Sequence, residues 1–280
     1  MTELLNTHAC VIGGGRMGAG IAHALLMSGA DVTVVEPDVE TAQERIRASV
    51  ARSCQKLGAA QAPVLSRLSL VGAVRELEFG AELVIEAVPE QTELKVAVLR
   101  DAEERAADGA LIATNTSSLS VTELGSALRR PEQFIGMHFF NPVPVSALIE
   151  LVVGSRTGPG TVSRAESIAS ALDKTAIVVR DSPGFATSRL GIVLGLEAMR
   201  MLQEEVATAA DIDQGMVLGY RHPMGPLRLT DLVGLDVRLD VAEHLSANLG
   251  PRFEPPAILR DKVAAGHLGK KTGRGFYDWD

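Results

Sequence analysis

Gly13-Gly14-Gly15-Arg16-Met17-Gly18 is the stretch that leaves this chain the fewest ways to fold. It stands between a short apolar run, His8 to Ile12, and a segment of helical character, Ala19 to Met27, which Gly29 closes. A second apolar run, Asp31 to Val35, ends in Glu36, eighteen residues after Gly18. The glycine spacing alone is weak. A strand, a glycine turn, a helix and a second strand ending in an acid together specify a βαβ unit that binds a dinucleotide. Gly13 permits the tight turn, Gly15 lets a pyrophosphate approach the backbone, and Gly18 lets the helix pack close to the strand. The helix N-terminus offers N–H groups and partial positive charge to the phosphates. Met17, in the same turn, counts with these glycines as a cofactor contact. Glu36 would accept hydrogen bonds from a ribose diol and repel a 2′-phosphate, so NAD is expected rather than NADP.

The periodicity continues this pattern. Glu40 to Leu57 reads as a long helix, and the weak region Val64 to Phe79 holds one short strand around Ser69 to Val71. Glu82 to Val88 is the next strand, running into Pro89-Glu90. Ligands of doubly wound sheets collect at the carboxyl ends of the strands, which places Glu90 beside the cofactor. Lys95 falls in the first turn of the following helix, where a cation opposes the helix dipole. Either a charged ligand or solvent accounts for it. Ala110 to Thr114 is a further strand ending in Asn115-Thr116-Ser117-Ser118. Those polar groups suit a ligand, and equally the N-cap of a helix starting near Ser120.

Phe134 to Phe140 is the next strand, and it brings His138 and Asn141 to the same sheet edge as Gly13, Glu36, Glu90 and Ser117. Asn141-Pro142-Val143-Pro144 then forces the backbone out of the sheet, because proline lacks a donor and fixes φ. Glu150 follows twelve positions after His138, inside a second apolar run. If the two runs lie side by side, the carboxylate fixes the imidazole tautomer and stabilises the protonated ring. The plain alternative is a core histidine satisfying a carbonyl. Convergence of so many polar groups on one edge favours acid–base chemistry.

The 280 residues are 46% hydrophobic and 22% charged, enough apolar material for one large domain or two ordinary ones. A net charge of −8 makes nucleic acid an unattractive partner. No apolar stretch reaches the ~20 residues that cross a bilayer, so no membrane role is expected. Met1-Thr2-Glu3-Leu4-Leu5 lacks the basic flank of a signal peptide. The two cysteines, Cys10 and Cys54, show no metal-binding spacing, and no metal is expected. These features point to a soluble, cytoplasmic protein.

Thr161 to Leu172 reads as a helix and Thr175 to Val179 as the last strand of the first domain. Asp181-Ser182-Pro183-Gly184-Phe185 marks the boundary, giving domains at 1–182 and 183–280. The second is helical: Ser188 to Gln203 (with Gly191 and Gly195), Thr208 to Val217 behind Thr208-x-x-Asp211, and Leu227 to Leu249 after the rigid loop His222 to Pro226. The expected fold is α/β, a Rossmann-like mainly parallel sheet domain followed by an all-α C-terminal domain. The helical part carries more apolar surface than it can hide, so a subunit interface is expected. His8, His23, His222, His244 and His267 have no partner in view and read as structural.

Asn115-Thr-Ser-Ser-Leu119, Gly136-Met-His-Phe-Phe-Asn-Pro-Val-Pro-Val145, Glu150-Leu-Val152, Asp181-Ser-Pro-Gly-Phe185, His222-Pro-Met-Gly-Pro-Leu-Arg-Leu-Thr-Asp-Leu-Val-Gly-Leu-Asp236 and Leu268-Gly-Lys-Lys-Thr-Gly-Arg-Gly-Phe-Tyr277 follow one another in order. Together they resemble the 3-hydroxyacyl-CoA dehydrogenase family over nearly the whole chain, with the bacterial 3-hydroxybutyryl-CoA branch matching in length. The resemblance implies NAD-dependent oxidation of an (S)-3-hydroxyacyl-CoA in fatty acid or butanoate metabolism, by a homodimer joined through the C-terminal domain. It implies that His138 is the general acid/base, Glu150 its partner, and Ser117 a contact to substrate oxygen and nicotinamide ribose. Glu90, Lys95, Asn141 and Lys271 are implied cofactor contacts, and Ser49 and Lys56 are candidates for the acyl-CoA. One position departs: relatives carry asparagine where this chain has Ser188, which polarises the substrate carbonyl with a water or not at all. Two other classes share these features, a dehydrogenase of a free hydroxy or sugar acid and a non-catalytic NAD-binding structural relative.

Overall fold

The computed structural model of this chain describes residue 4 and residues 7–280. The leader-peptide expectation for Met1 to Leu5 therefore lies, but for Leu4, outside the described residues. The chain divides into two compact units, Met1–Ser182 and Pro183–Asp280.

The first unit is built on an eight-stranded sheet. Its strands are β1 (His8–Ile12), β2 (Asp31–Val35), β3 (Leu68–Val71), β4 (Ala81–Glu86), β5 (Ala106–Thr114), β6 (Phe134–Phe139), β7 (Leu148–Val153) and β8 (Thr175–Arg180), in the order β3-β2-β1-β4-β5-β6-β7-β8. The first six pair in parallel, β7 runs antiparallel to β6, and β8 is parallel to β7. Strands such as HACVI are apolar on successive residues rather than alternate ones, because helices cover both faces of a parallel sheet. Between the strands lie α1 (Arg16–Met27), α2 (Val39–Leu57), α3 (Ala62–Leu65), α4 (Thr92–Glu103), α5 (Val121–Ser126) and α6 (Pro159–Ala171).

Helix α2 shows how local chemistry sets these elements. Asp38 caps its start by accepting the Thr41 N–H at 3.1 Å, and Gly58 stops it in the left-handed region. Ala42, Ile46, Val50 and Cys54, four apart, form its buried face. The weak region after it holds the short α3 and a 3₁₀ turn (Val74–Glu76) besides the expected strand.

The second unit contains α7 (Thr187–Gln203), α8 (Ala209–Gln214), α9 (Pro226–Val233), α10 (Leu235–Leu249) and α11 (Ala257–Ala264). Ile192, Leu196, Met199, Leu227, Leu235 and Leu245 belong to its core. The stretch from Leu227 to Leu249 is two helices rather than one, because Gly234 takes φ +107° and ends α9. Thr208 caps α8 by accepting the Asp211 N–H, and the helix then widens into a π turn at Gly215–Gly219. Two buried carboxylates organise the unit. Asp213 accepts the N–H groups of Leu227 and Arg228 at the start of α9 and the Tyr277 hydroxyl. Asp231 accepts the N–H groups of Phe276 and Tyr277 and the Trp279 indole N–H.

Candidate active site

The glycine turn is built for close approach. Gly13 has φ +103°, and a Cβ there would stand 2.7 Å from the Ala87 carbonyl oxygen. A Cβ on Gly18 would collide with the Gly13 carbonyl oxygen, whereas one on Gly15 would meet open space. Gly13 and Gly18 thus serve the turn itself, and Gly15 leaves room above the backbone. A cavity of about 740 Å³ opens over the turn, lined by Gly13, Gly15, Met17, Glu36, Pro89 and Leu94 among others. Glu36 Oε2 accepts the Gly14 N–H at 2.7 Å, which ties this lining carboxylate to the glycine turn. A dinucleotide fits these residues: bare backbone for its phosphates, a helix N-terminus behind them and an acid for its ribose.

The end of β4 carries a buried ionic group. Lys95 is 1% exposed, and its Nζ lies 2.7 Å from Glu86 Oε1 and 3.2 Å from Glu90 Oε2. Solvation does not explain this lysine; the two carboxylates do. Burial pushes the Glu86 carboxyl up from its ordinary value, against the opposing pull of Lys95. For Glu90 burial also acts upward, but the Lys95 charge and hydrogen bonds from Thr116 and Ser117 outweigh it and hold the carboxyl below its ordinary value. Glu90 Oε1 accepts the Thr116 hydroxyl and the N–H groups of Ser117 and Ser118. The polar turn after β5 is therefore anchored to Glu90, while Ser120 caps α5 by accepting the Glu123 N–H. The Ser117 hydroxyl is exposed and makes no hydrogen bond among the described residues.

His138 and Glu150 are direct cross-strand partners in the β6–β7 ladder. Their side chains share one face, and His138 Nδ1 lies 2.8 Å from Glu150 Oε2. Twelve positions separate them in sequence because the chain leaves the sheet after Phe139 and returns antiparallel. Glu150 is fully buried and the His138 side chain 11% exposed. The Phe140 ring sits 4.5 Å from the imidazole. Two anchors that sequence reading missed hold this corner. Asn115 Oδ1 accepts the Phe139 N–H at 2.9 Å, tying the end of β5 to that of β6. Lys174 Nζ donates to the carbonyls of Val143 and Ser146, closing the Pro-rich loop. Buried carbonyls are the only signal for such a lysine, and sequence does not display them.

Asn141 lies in that loop, exposed, and lines a second cavity of about 400 Å³ with Arg16, Arg45, Ser49, Arg52 and Val143. Ser49 is also bound to His23, which has a partner after all: its Nδ1 is 2.6 Å from Ser49 Oγ. Burial, with Arg52 and Lys174 nearby, pushes the His23 imidazole down to about 4. Lys56 is exposed in the last turn of α2 and does not line this cavity. Arg45 and Arg52 escaped notice because α2 reads as an ordinary solvated helix. In the second unit, Ser188 falls in the first turn of α7, and Lys271 pairs with Asp236 at 2.5 Å.

Among the described residues no helix is long and apolar enough to cross a membrane. Residues 8–182 match the family description "3-hydroxyacyl-CoA dehydrogenase, NAD binding domain" and residues 184–279 match "3-hydroxyacyl-CoA dehydrogenase, C-terminal domain". The chain is 38% identical over 277 residues to a probable 3-hydroxybutyryl-CoA dehydrogenase of Bacillus subtilis (strain 168), covering 96% of each. It is 34% identical over 291 residues to the mitochondrial hydroxyacyl-coenzyme A dehydrogenase of Sus scrofa, covering 99% of this chain and 92% of that one. Among solved structures, (S)-3-hydroxybutyryl-CoA dehydrogenase PaaH1 from Ralstonia eutropha superposes with a TM-score of 0.92 at 38% identity, covering 98% and 99% of the two chains.

Proposed function

Because this chain belongs to the 3-hydroxyacyl-CoA dehydrogenase family, we propose that it oxidises a short-chain (S)-3-hydroxyacyl-CoA, such as 3-hydroxybutyryl-CoA, to the 3-ketoacyl-CoA, and catalyses the reverse. The enzyme is NAD-dependent, and bound NAD supplies the acceptor for the hydride that leaves C3. His138 takes the hydroxyl proton at Nε2 as the C3–O single bond becomes a carbonyl. Glu150, held on Nδ1, keeps the imidazole in the tautomer with a lone pair on Nε2 and stabilises the cation formed. The Ser117 hydroxyl donates to the same oxygen. In reverse, His138 returns the proton to the oxygen. The observation that supports this reading best is the cross-strand His138–Glu150 pair, beside the polar turn that Glu90 anchors. Ser188 and Lys271 enter on resemblance: Ser188 as a donor to the substrate carbonyl, Lys271 as a cofactor contact.

Purified protein given acetoacetyl-CoA and NADH tests the proposal, read as loss of NADH absorbance. Turnover of a free hydroxy acid with none of any acyl-CoA would overturn it. Glu36→Ser narrows the preference for NAD over NADP by about tenfold or more, the scale of one charge-assisted hydrogen bond. Parallel titrations with the two cofactors check this.

The cavity of Arg16, Arg45 and Arg52 has the charge to hold the phosphates of coenzyme A. Arg52→Ala raises KM for the acyl-CoA about tenfold while kcat changes little, because uniform binding alone is lost. Initial-rate kinetics separate the two constants. A homodimer through the C-terminal unit is favoured by apolar side chains left on its surface, Leu190 and Leu194 on α7, Leu232 and Val233 on α9 and Val237 on α10. Sedimentation velocity reads the assembly directly.

A further inference from the structure

Arg16 opens helix α1, at the end where the helix dipole disfavours a cation. The first turn of α1 contains no acid, and Gly15 before it supplies no side-chain cap. Lys95 raises the same question near the start of α4, and there Glu86 and Glu90 answer it. Nothing answers Arg16 in that way. Its side chain is exposed, and among the described residues its guanidinium forms no hydrogen bond or ion pair. An arginine that merely meets solvent is the bland account. Where this one stands argues for more.

Arg16 borders two cavities, both lined by residues of the first unit alone. With Gly13, Gly15 and Met17 it lines the cavity over the glycine turn, and with Ala19, Arg45 and Arg52 it lines the cavity beside α2. Helix α1 separates them. A Cβ on Gly20 would come 2.9 Å from the Val143 Cβ, so the helix sits directly on the proline loop and the two cavities are fixed across it. No acid lines the second cavity, and Arg45, Ser49 and Arg52 fall on one face of α2. Glu36 and Asp101, the acids lining the first, form no ion pair with Arg16. The guanidinium is thus left to whatever anions enter on either side.

We propose that Arg16 is shared between the two ligands, donating to the dinucleotide pyrophosphate on one side and to a phosphate of coenzyme A on the other, so that each ligand strengthens the binding of the other. This rests on the function proposed above, with the phosphates of coenzyme A in the cavity of Arg45 and Arg52. The planar fork presents donors along two edges, so serving one phosphate does not exclude the other. Two consequences give the coupling its sign. An exposed arginine loses its rotamer freedom once, on binding the first ligand, and the second binds to a side chain already ordered. A cation between two anionic ligands also offsets the repulsion that they would otherwise exert on one another.

Isothermal titration calorimetry with free coenzyme A, on the full-length protein with and without saturating NADH, reads the coupling without turnover. In the wild type NADH tightens coenzyme A binding by roughly tenfold, within the usual range for coupled sites, and coenzyme A tightens NADH by the same factor, as linkage requires. Arg16→Met brings the factor to one or below. Arg52→Ala weakens coenzyme A in both states and leaves the factor as it was, because this arginine borders only one of the two cavities. A wild-type factor of one overturns the inference. So does an Arg16→Met protein that binds each ligand less tightly yet keeps the factor, and so does loss of the factor in Arg52→Ala, which would assign the coupling to the general charge of the cavity. Failure of coenzyme A to bind in either state strikes the acyl-CoA reading itself, whereas binding with no coupling strikes the shared arginine alone.

Discussion

His138→Gln lowers kcat by roughly 10²–10⁴-fold, the usual contribution of a positioned general base, while NAD binding is retained. Glutamine keeps much of the volume and a hydrogen bond to Glu150 but cannot carry the proton. Stopped-flow measurement of NADH formation gives kcat, and fluorescence titration with NADH gives the binding constant. The two readings separate chemistry from architecture, because the imidazole sits on β6 and the glycine crevice at the ends of β1 and β2. Near-normal turnover in this variant would remove His138 from the mechanism. Glu150→Gln falls between the variant and the wild type, since it leaves the ring in place and removes the charge that favours its protonated form.

Lys95→Met destabilises the protein by about 3–5 kcal/mol, the cost of removing one partner from a buried ion pair. Glu86 is fully buried, and without Lys95 its carboxylate faces low dielectric with only the Thr114 hydroxyl and the Val88 N–H as donors. Glu90 loses a counter-charge in the same step and with it part of its hold on the turn of Thr116 to Ser118. Urea denaturation of the single variant and of Lys95→Met/Glu86→Gln tests the argument. The double variant recovers part of the loss, because neutralising Glu86 removes the uncompensated charge. A single variant within about 1 kcal/mol of the wild type would show the trio to be energetically idle.

Much of the first unit was legible because its signals are local. A glycine turn between two apolar runs admits few conformations, and Glu36 at the end of β2 follows from strand length alone. The His138–Glu150 pairing was also within reach, since two apolar runs joined by a proline loop have one economical arrangement. Signals that depend on distant partners were not legible. Lys95 at a helix start resembles any surface lysine until Glu86 and Glu90 are seen on both sides of it. His23 and Ser49 lie on different helices, and nothing in either segment announces the other. Helix α2 shows its buried face through four-residue spacing, but not that Arg45 and Arg52 on its other side face a cavity. In the second unit the apolar pattern runs on through Gly234, so the break into α9 and α10 is a matter of backbone conformation that hydrophobicity does not report. Phe276 and Tyr277 were read only as the end of a motif, and Trp279 not at all, although their donors saturate Asp231.

The reversal of chain direction between β6 and β7 has a consequence for how such a gene can change length. Insertions or deletions confined to the connecting segment after Phe140 leave the ladder free to re-form in the same alignment, and they register as altered affinity. A single codon lost inside either strand turns every following side chain to the opposite face and parts the acid from the imidazole. Length variants selected for turnover will therefore cluster in the connector and be absent from the two strands.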